Sequence, residues 1–86
     1  MKIETNIGLT LEVDDNLADD WEFVEMLAET EENPTRFILL VKRMIGETQY
    51  KILKEEVRRK EGKVSTTTMI KIIEEILEKS GQEIKN

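Results

Sequence analysis

The sequence predicts an α+β fold, mostly α: a short N-terminal β-hairpin followed by about four helices in one small domain. Two patterns carry this expectation. Residues 2–13 alternate polar and apolar with a period of two, whereas from Leu17 onward apolar residues recur at spacings of three and four. A third observation is punctuation: Asn33 followed by Pro34, then Gly46, Gly62 and Gly81, divide the helical region into segments of ordinary length. The chain of 86 residues reads as a single domain over 1–86, with a hairpin at 1–13, a helical part at 16–81 and a frayed tail at 82–86. A domain of this size has room for about fifteen to twenty core side chains.

In the opening "KIETNIGLTLEVDD", Lys2, Glu4 and Asn6 face one way and Ile3, Thr5 and Ile7 the other. Leu9, Leu11 and Val13 then share a face opposite Thr10 and Glu12, and Gly8 marks a turn around residues 6–8. An isolated hairpin is marginally stable, so its apolar face is expected to lie on helices or on another subunit. Its edges are read as open to pairing.

The first helix is expected to start between Asn16 and Asp20, with acidic residues in its first turn. Leu17, Trp21, Val24, Leu27 and Ala28 form its apolar stripe, with Phe23 off that stripe. It should end near Glu31, since the residue before Pro34 is disfavoured in helical geometry. A second helix follows, with Asn33 as cap and Pro34 in its first turn. Seven of the nine residues 37–45 are hydrophobic, more than a single amphipathic face requires. Gly46 should close that helix with a left-handed turn. The third helix, about residues 48–60, carries Tyr50, Leu53 and Val57, with Ile52 nearby. The fourth, about residues 66–79, carries Met69, Ile70, Ile72, Ile73, Ile76 and Leu77 and closes at Gly81.

Inventory narrows the chemistry. Cysteine and histidine are both absent, which removes thiolate metal sites, disulfides, Ser-His and Cys-His nucleophiles and the commonest zinc ligands. No cofactor and no enzymatic activity are expected. The net charge of −6 argues against nonspecific nucleic-acid binding. No signal peptide or apolar span is visible, so no membrane partner is expected. Charge is distributed unevenly: residues 1–33 carry eleven acidic side chains and one basic, and residues 34–63 nine basic and four acidic. Such a dipole favours contact between copies, although acidic helix starts and basic helix ends also complement helix dipoles.

Three candidate sites fall away on closer reading. The stretch "RRKEGKVSTTTM" resembles half of a calcium loop. With Gly62 at the sixth position, however, the first and third ligands would be Val57 and Arg59, and the twelfth would be Thr68 in place of a glutamate. The segment instead reads as a corner between helices: a Gly62 stop, a Ser65 cap and a Val64–Met69 staple. Arg58, Arg59 and Lys60 are basic residues complementing a helix end before they are a phosphate site, and Thr66, Thr67, Thr68 and Lys71 make a poor base-reading surface. Asp14, Asp15, Asp19 and Asp20 read as helix-start carboxylates, not as a catalytic or metal-binding group. What remains is the excess apolar surface of the second helix. Phe37, Leu40, Val41 and Met44 are its candidate partner or oligomer contacts.

The series "DDWEFVEMLAETEENP", "LLVKRMIGETQYKILKEEVRRKEGKVS" and an isoleucine-rich helix resembles the small tail assembly chaperones of long-tailed, siphovirus-type phages and prophages of Gram-positive bacteria. In that family a β segment precedes "DDWE/L…LAE…ENP", an "LLG-E-Q" junction and a "DGRVS" helix start. The matching positions here are 19–22, 27–29, 32–34, 45–49 and 61–65, with "MIGETQ" and "EGKVS" as mild departures. The resemblance implies a protein that coats the tape measure protein and helps recruit tail tube protein during tail morphogenesis. It would act in the cytoplasm of the host bacterium, self-associate and be absent from the mature virion. It would be the short form where a frameshift also yields a longer one. The alternative is a prophage-encoded acidic regulatory or DNA-mimicking module that uses the acidic face of residues 12–32.

Overall fold

The computed structural model describes residues 1–81; the expected frayed tail at 82–86 lies outside them. Strand β1 (Lys2–Glu4) pairs antiparallel with β2 (Thr10–Glu12), with Ile3 opposite Leu11. The Gly8 N–H donates to the Thr5 carbonyl (3.0 Å), and the Thr5 N–H to the Leu9 carbonyl (2.9 Å). Three residues therefore form the loop, and the last of them, Gly8, sits at φ 83°, the geometry of a three-residue hairpin closed by a left-handed glycine. Ile3, Thr5, Leu11 and Val13 are buried as the alternation requires. Their cover comes from within the chain, since β2 packs on α2 and β1 on α3.

A 3₁₀ turn (Leu17–Asp19) leads to α1 (Trp21–Glu32), whose start is set by Asp20. The Asp20 side chain accepts from the backbone N–H groups of Glu22 and Phe23 at 3.1 and 3.4 Å. This shifts the helical phase. Leu17 lies before the cap, so Leu17 and Trp21 do not share a helix face. The expected stripe is corrected accordingly: Phe23 and Thr30 are buried, Val24 and Leu27 half-buried, and Trp21 and Ala28 exposed. The Thr30 hydroxyl is satisfied by donating to the Leu27 carbonyl at 2.6 Å.

Asn33 caps the next element as expected. Its side-chain oxygen accepts from the Thr35 N–H (3.2 Å) and hydroxyl (2.6 Å), initiating a 3₁₀ turn (Pro34–Arg36) that runs into α2 (Phe37–Glu61). Helix α3 (Thr66–Ser80) completes the fold. Three helices thus stand where about four were expected, because the segments on either side of Gly46 are two arms of one bent α2. Gly46 has φ 80° and ψ 166°, which is not the left-handed helical turn that its position suggested. It lies in an extended positive-φ region open essentially to glycine alone. The corner after α2 follows the sequence reading. Gly62 is left-handed and its N–H donates to the Arg58 carbonyl (2.8 Å), and the Ser65 hydroxyl accepts from the Thr68 N–H (3.3 Å).

Gln49 joins the kink to the hairpin. Its amide oxygen accepts from the Glu12 N–H (2.7 Å), and its NH₂ donates to the carbonyls of Glu12 (2.7 Å) and Ile45 (2.8 Å). Glu12 faces Lys2 in the register, a non-hydrogen-bonded position whose backbone groups point away from β1. The side chain of Gln49 therefore occupies the outer edge of β2 as a further strand would. On the other edge, Lys79 Nζ donates to the Glu4 carbonyl (2.8 Å) and the Asn6 N–H donates to Glu75 (3.0 Å). Each strand is thus engaged at one position by a helix side chain, Glu12 on β2 and Glu4 on β1.

The core consists of apolar side chains from both strands, the 3₁₀ turn at Leu17 and all three helices. Phe23, Leu40, Leu53 and Ile76 are fully enclosed, with Leu11, Val13, Leu17, Val41, Val57 and Ile73 nearly so. Among the described residues no buried side-chain polar atom lacks a hydrogen-bond partner, so the core carries no strained polar site of the kind that chemistry often uses.

Candidate functional site

The first arm of α2, residues 37–45, distributes its hydrophobic residues in two directions. Leu40, Val41, Met44 and Ile45 are buried, at the spacings of a core-facing stripe. Ile38 and Leu39 point outward, 50% and 42% exposed. The expected contact set of Phe37, Leu40, Val41 and Met44 is corrected by this placement. Leu40 and Met44 belong to the core and offer nothing to a partner in the folded chain. Val41 is buried as well and only floors a groove, which the half-buried Phe37 lines beside it.

That groove lies between the start of α2 and the start of α3 and encloses about 280 Å³. Phe37, Ile38 and Val41 line it from α2, Val64, Met69, Ile70 and Ile73 from the corner and α3, and Tyr50 from the second arm. Its geometry follows from local sequence signals. Asn33 holds Thr35 at one end. Gly46 redirects the chain between the first arm and Tyr50, and the Gly62 and Ser65 pair sets where α3 begins. The Val64–Met69 staple expected from spacing becomes part of the groove wall.

The lining is apolar apart from Thr35, Thr66 and the Tyr50 hydroxyl. It offers dispersion and burial to an apolar guest. Its volume is at the lower end for a small-molecule pocket, about 300–1,000 Å³, and suits one or two large side chains. Around Tyr50 the electrostatics are positive: Lys42 and Lys54 hold their ammonium groups 5.3 and 4.7 Å from the ring centroid. Lys42 also lies 3.5 Å from Glu47. The second arm bears further pairs, Arg58 with Glu55 and Arg59 with Glu56, while Lys60 Nζ donates to the Ile7 carbonyl of the hairpin loop at 2.5 Å, so the "RRK" run is engaged within the fold.

On the opposite charge, α1 presents Glu22, Glu25, Glu29, Glu31 and Glu32 as exposed residues. At its start stands Trp21, 74% exposed, which the sequence reading had placed on the apolar stripe. Asp20 next to it is tightly held. Arg43 contacts its Oδ2 at 2.8 Å through both Nε and Nη2. Desolvation pushes the Asp20 carboxyl up, but the hydrogen bond from Arg43, the Phe23 N–H, the charge of Arg43 and the Glu22 N–H outweigh it and hold it below its ordinary value.

Among the described residues no group of three or more carboxylate, histidine or cysteine side chains is placed to hold a metal ion, and no helix is long and apolar enough to cross a membrane. The chain matches no protein-family model, no curated protein and no solved structure.

Proposed function

We propose that the protein is a non-enzymatic tail assembly chaperone that binds the tape measure protein, and tail tube protein with it, during phage tail morphogenesis. The observation that carries this reading is the apolar groove between α2 and α3, with Ile38 and Leu39 exposed beside it. A long helical client whose own apolar stripe is not yet covered would place one or two side chains in such a groove, as an amphipathic helix does in a groove-binding partner. The resemblance of the segments at 19–22, 45–49 and 61–65 to the chaperone family supplies the identity of the client. The protein would act in the host cytoplasm and leave before the tail is complete.

A pull-down against the tape measure protein, at low and at high salt, tests the proposal. Retention that survives high salt and is lost in Ile38→Glu supports binding by apolar burial. Loss of binding with salt alone would place the contact on the acidic face of α1, the surface an acidic regulator or DNA mimic would use. No retention at any salt would refute the chaperone reading.

A further inference from the structure

An indole that is 74% exposed at the first position of α1 is a large apolar surface left in water, and tryptophan is the residue most enriched at interaction hot spots. Its place at the helix start is set by neighbouring contacts. The Asp20 carboxylate caps the helix from the preceding residue, and Arg43 on α2 secures that carboxylate at 2.8 Å. The side chains flanking it in sequence and on the helix face, Asp19, Glu22 and Glu25, are acidic and exposed.

Elsewhere the same chain carries the reciprocal surface. The α2–α3 groove is apolar, its 280 Å³ suits a single large ring, and its Tyr50 wall lies beneath the Lys42 and Lys54 ammonium groups. A ring flanked by the exposed carboxylates of Asp19, Glu22 and Glu25 therefore matches a cleft whose Tyr50 wall carries Lys54, and Lys42 shared with Glu47, in shape, polarity and sign of charge. We propose that the groove takes Trp21 of a second copy of this chain. The inference rests on the groove being a docking surface, as in the proposed function, and names an occupant that would hold it before a client does. Each copy has one knob and one groove, and Trp21 is not among the residues that line its own groove, so the contact is heterologous. Self-association and capture of a client helix at this groove are then mutually exclusive.

Trp21 is the only tryptophan, so its emission reports the contact directly in the intact protein without a client. The expected result is a blue shift of the emission maximum as concentration rises, accompanied by an increase in sedimentation mass. Trp21→Ala, which keeps its groove, and Ile38→Glu, which keeps its knob, should each weaken self-association roughly tenfold or more. Both positions are exposed, so folding is retained, and circular dichroism verifies it. Mixing the two variants should restore the blue shift, since one supplies the groove and the other the indole. An emission maximum independent of concentration, or self-association unchanged in Trp21→Ala, would overturn the proposal. Failure of the chaperone reading is separate: it is read from loss of tape measure binding, whatever the emission of Trp21 does.

Discussion

Replacing Gly46 with alanine separates a bent α2 from a straight one by the sign of its effect. In the interior of a regular exposed helix, Gly→Ala stabilises by about 1 kcal/mol, because alanine loses less backbone entropy. Here the backbone at residue 46 has φ 80° and ψ 166°, a region where an L side chain costs about 1–3 kcal/mol. Beyond the adjoining backbone, no atom lies within 4 Å of a Cβ built there, so the cost is conformational strain and not a collision with a packed neighbour. The entropic gain from restricting the unfolded chain is realised only where the native dihedrals suit alanine, which these do not. For a domain of this size each kcal/mol moves Tm by about 4–8 °C, so Gly46→Ala should lower Tm by about 4–24 °C. Thermal unfolding followed by circular dichroism measures it. D-alanine at the same position, introduced by chemical synthesis, accepts positive φ and should restore most of the loss. A Tm that rises with L-alanine, together with increased helicity, would show that α2 is continuous and that the kink does not shape the groove.

The phase of α1 is tested by a pair of substitutions: Phe23→Ala should cost about 3–5 kcal/mol, whereas Trp21→Ala should change monomer stability by no more than about 0.5 kcal/mol, both read by denaturant titration. Gln49→Ala removes three hydrogen bonds at 2.7–2.8 Å and should cost about 1–3 kcal/mol, with faster hydrogen exchange at the Glu12 amide as the local signature. Asp20 has a folded pKa below its unfolded one, so its stabilisation is complete above the unfolded value, about 3.9, and is lost as pH falls through the folded value. The stability difference between the native chain and Asp20→Asn should therefore be largest near neutrality and shrink below about pH 4. An equal difference at both ends of that range would remove the Arg43 contact from the account.

Much of this architecture was legible in the residues because it rests on local rules. The alternation around Gly8, the Asn33 cap and the Gly62, Val64 and Ser65 corner each use chemistry confined to a few neighbouring residues, and each is present in the fold. The misreadings share a cause in tertiary placement. Leu17 and Trp21 have helical spacing, but the Asp20 cap interrupts the phase between them; Asp14, Asp15 and Asp19 offer the same cap chemistry in the sequence, and the Arg43 contact from α2 holds the one that is used. Gly46 does interrupt the helical geometry as its position suggests, but through an extended positive-φ backbone that leaves no loop between the two arms. The contact set at Phe37, Leu40, Val41 and Met44 followed the strongest periodicity, which marks the core. The outward residues were those left over, Ile38 and Leu39. Subtracting the core stripe from residues 37–45 would have found them. Nothing in the sequence tied Gln49 to Glu12, 37 positions away.

The central claim is that the α2–α3 groove is where this protein engages a helix. Chemical-shift mapping of the isotopically labelled protein titrated with segments of the tape measure protein tests it most directly. The account predicts saturable shifts centred on Phe37, Ile38, Tyr50, Met69 and Ile70, undiminished at high salt. Shifts confined to the acidic residues of α1, or no shift with any segment, would contradict it.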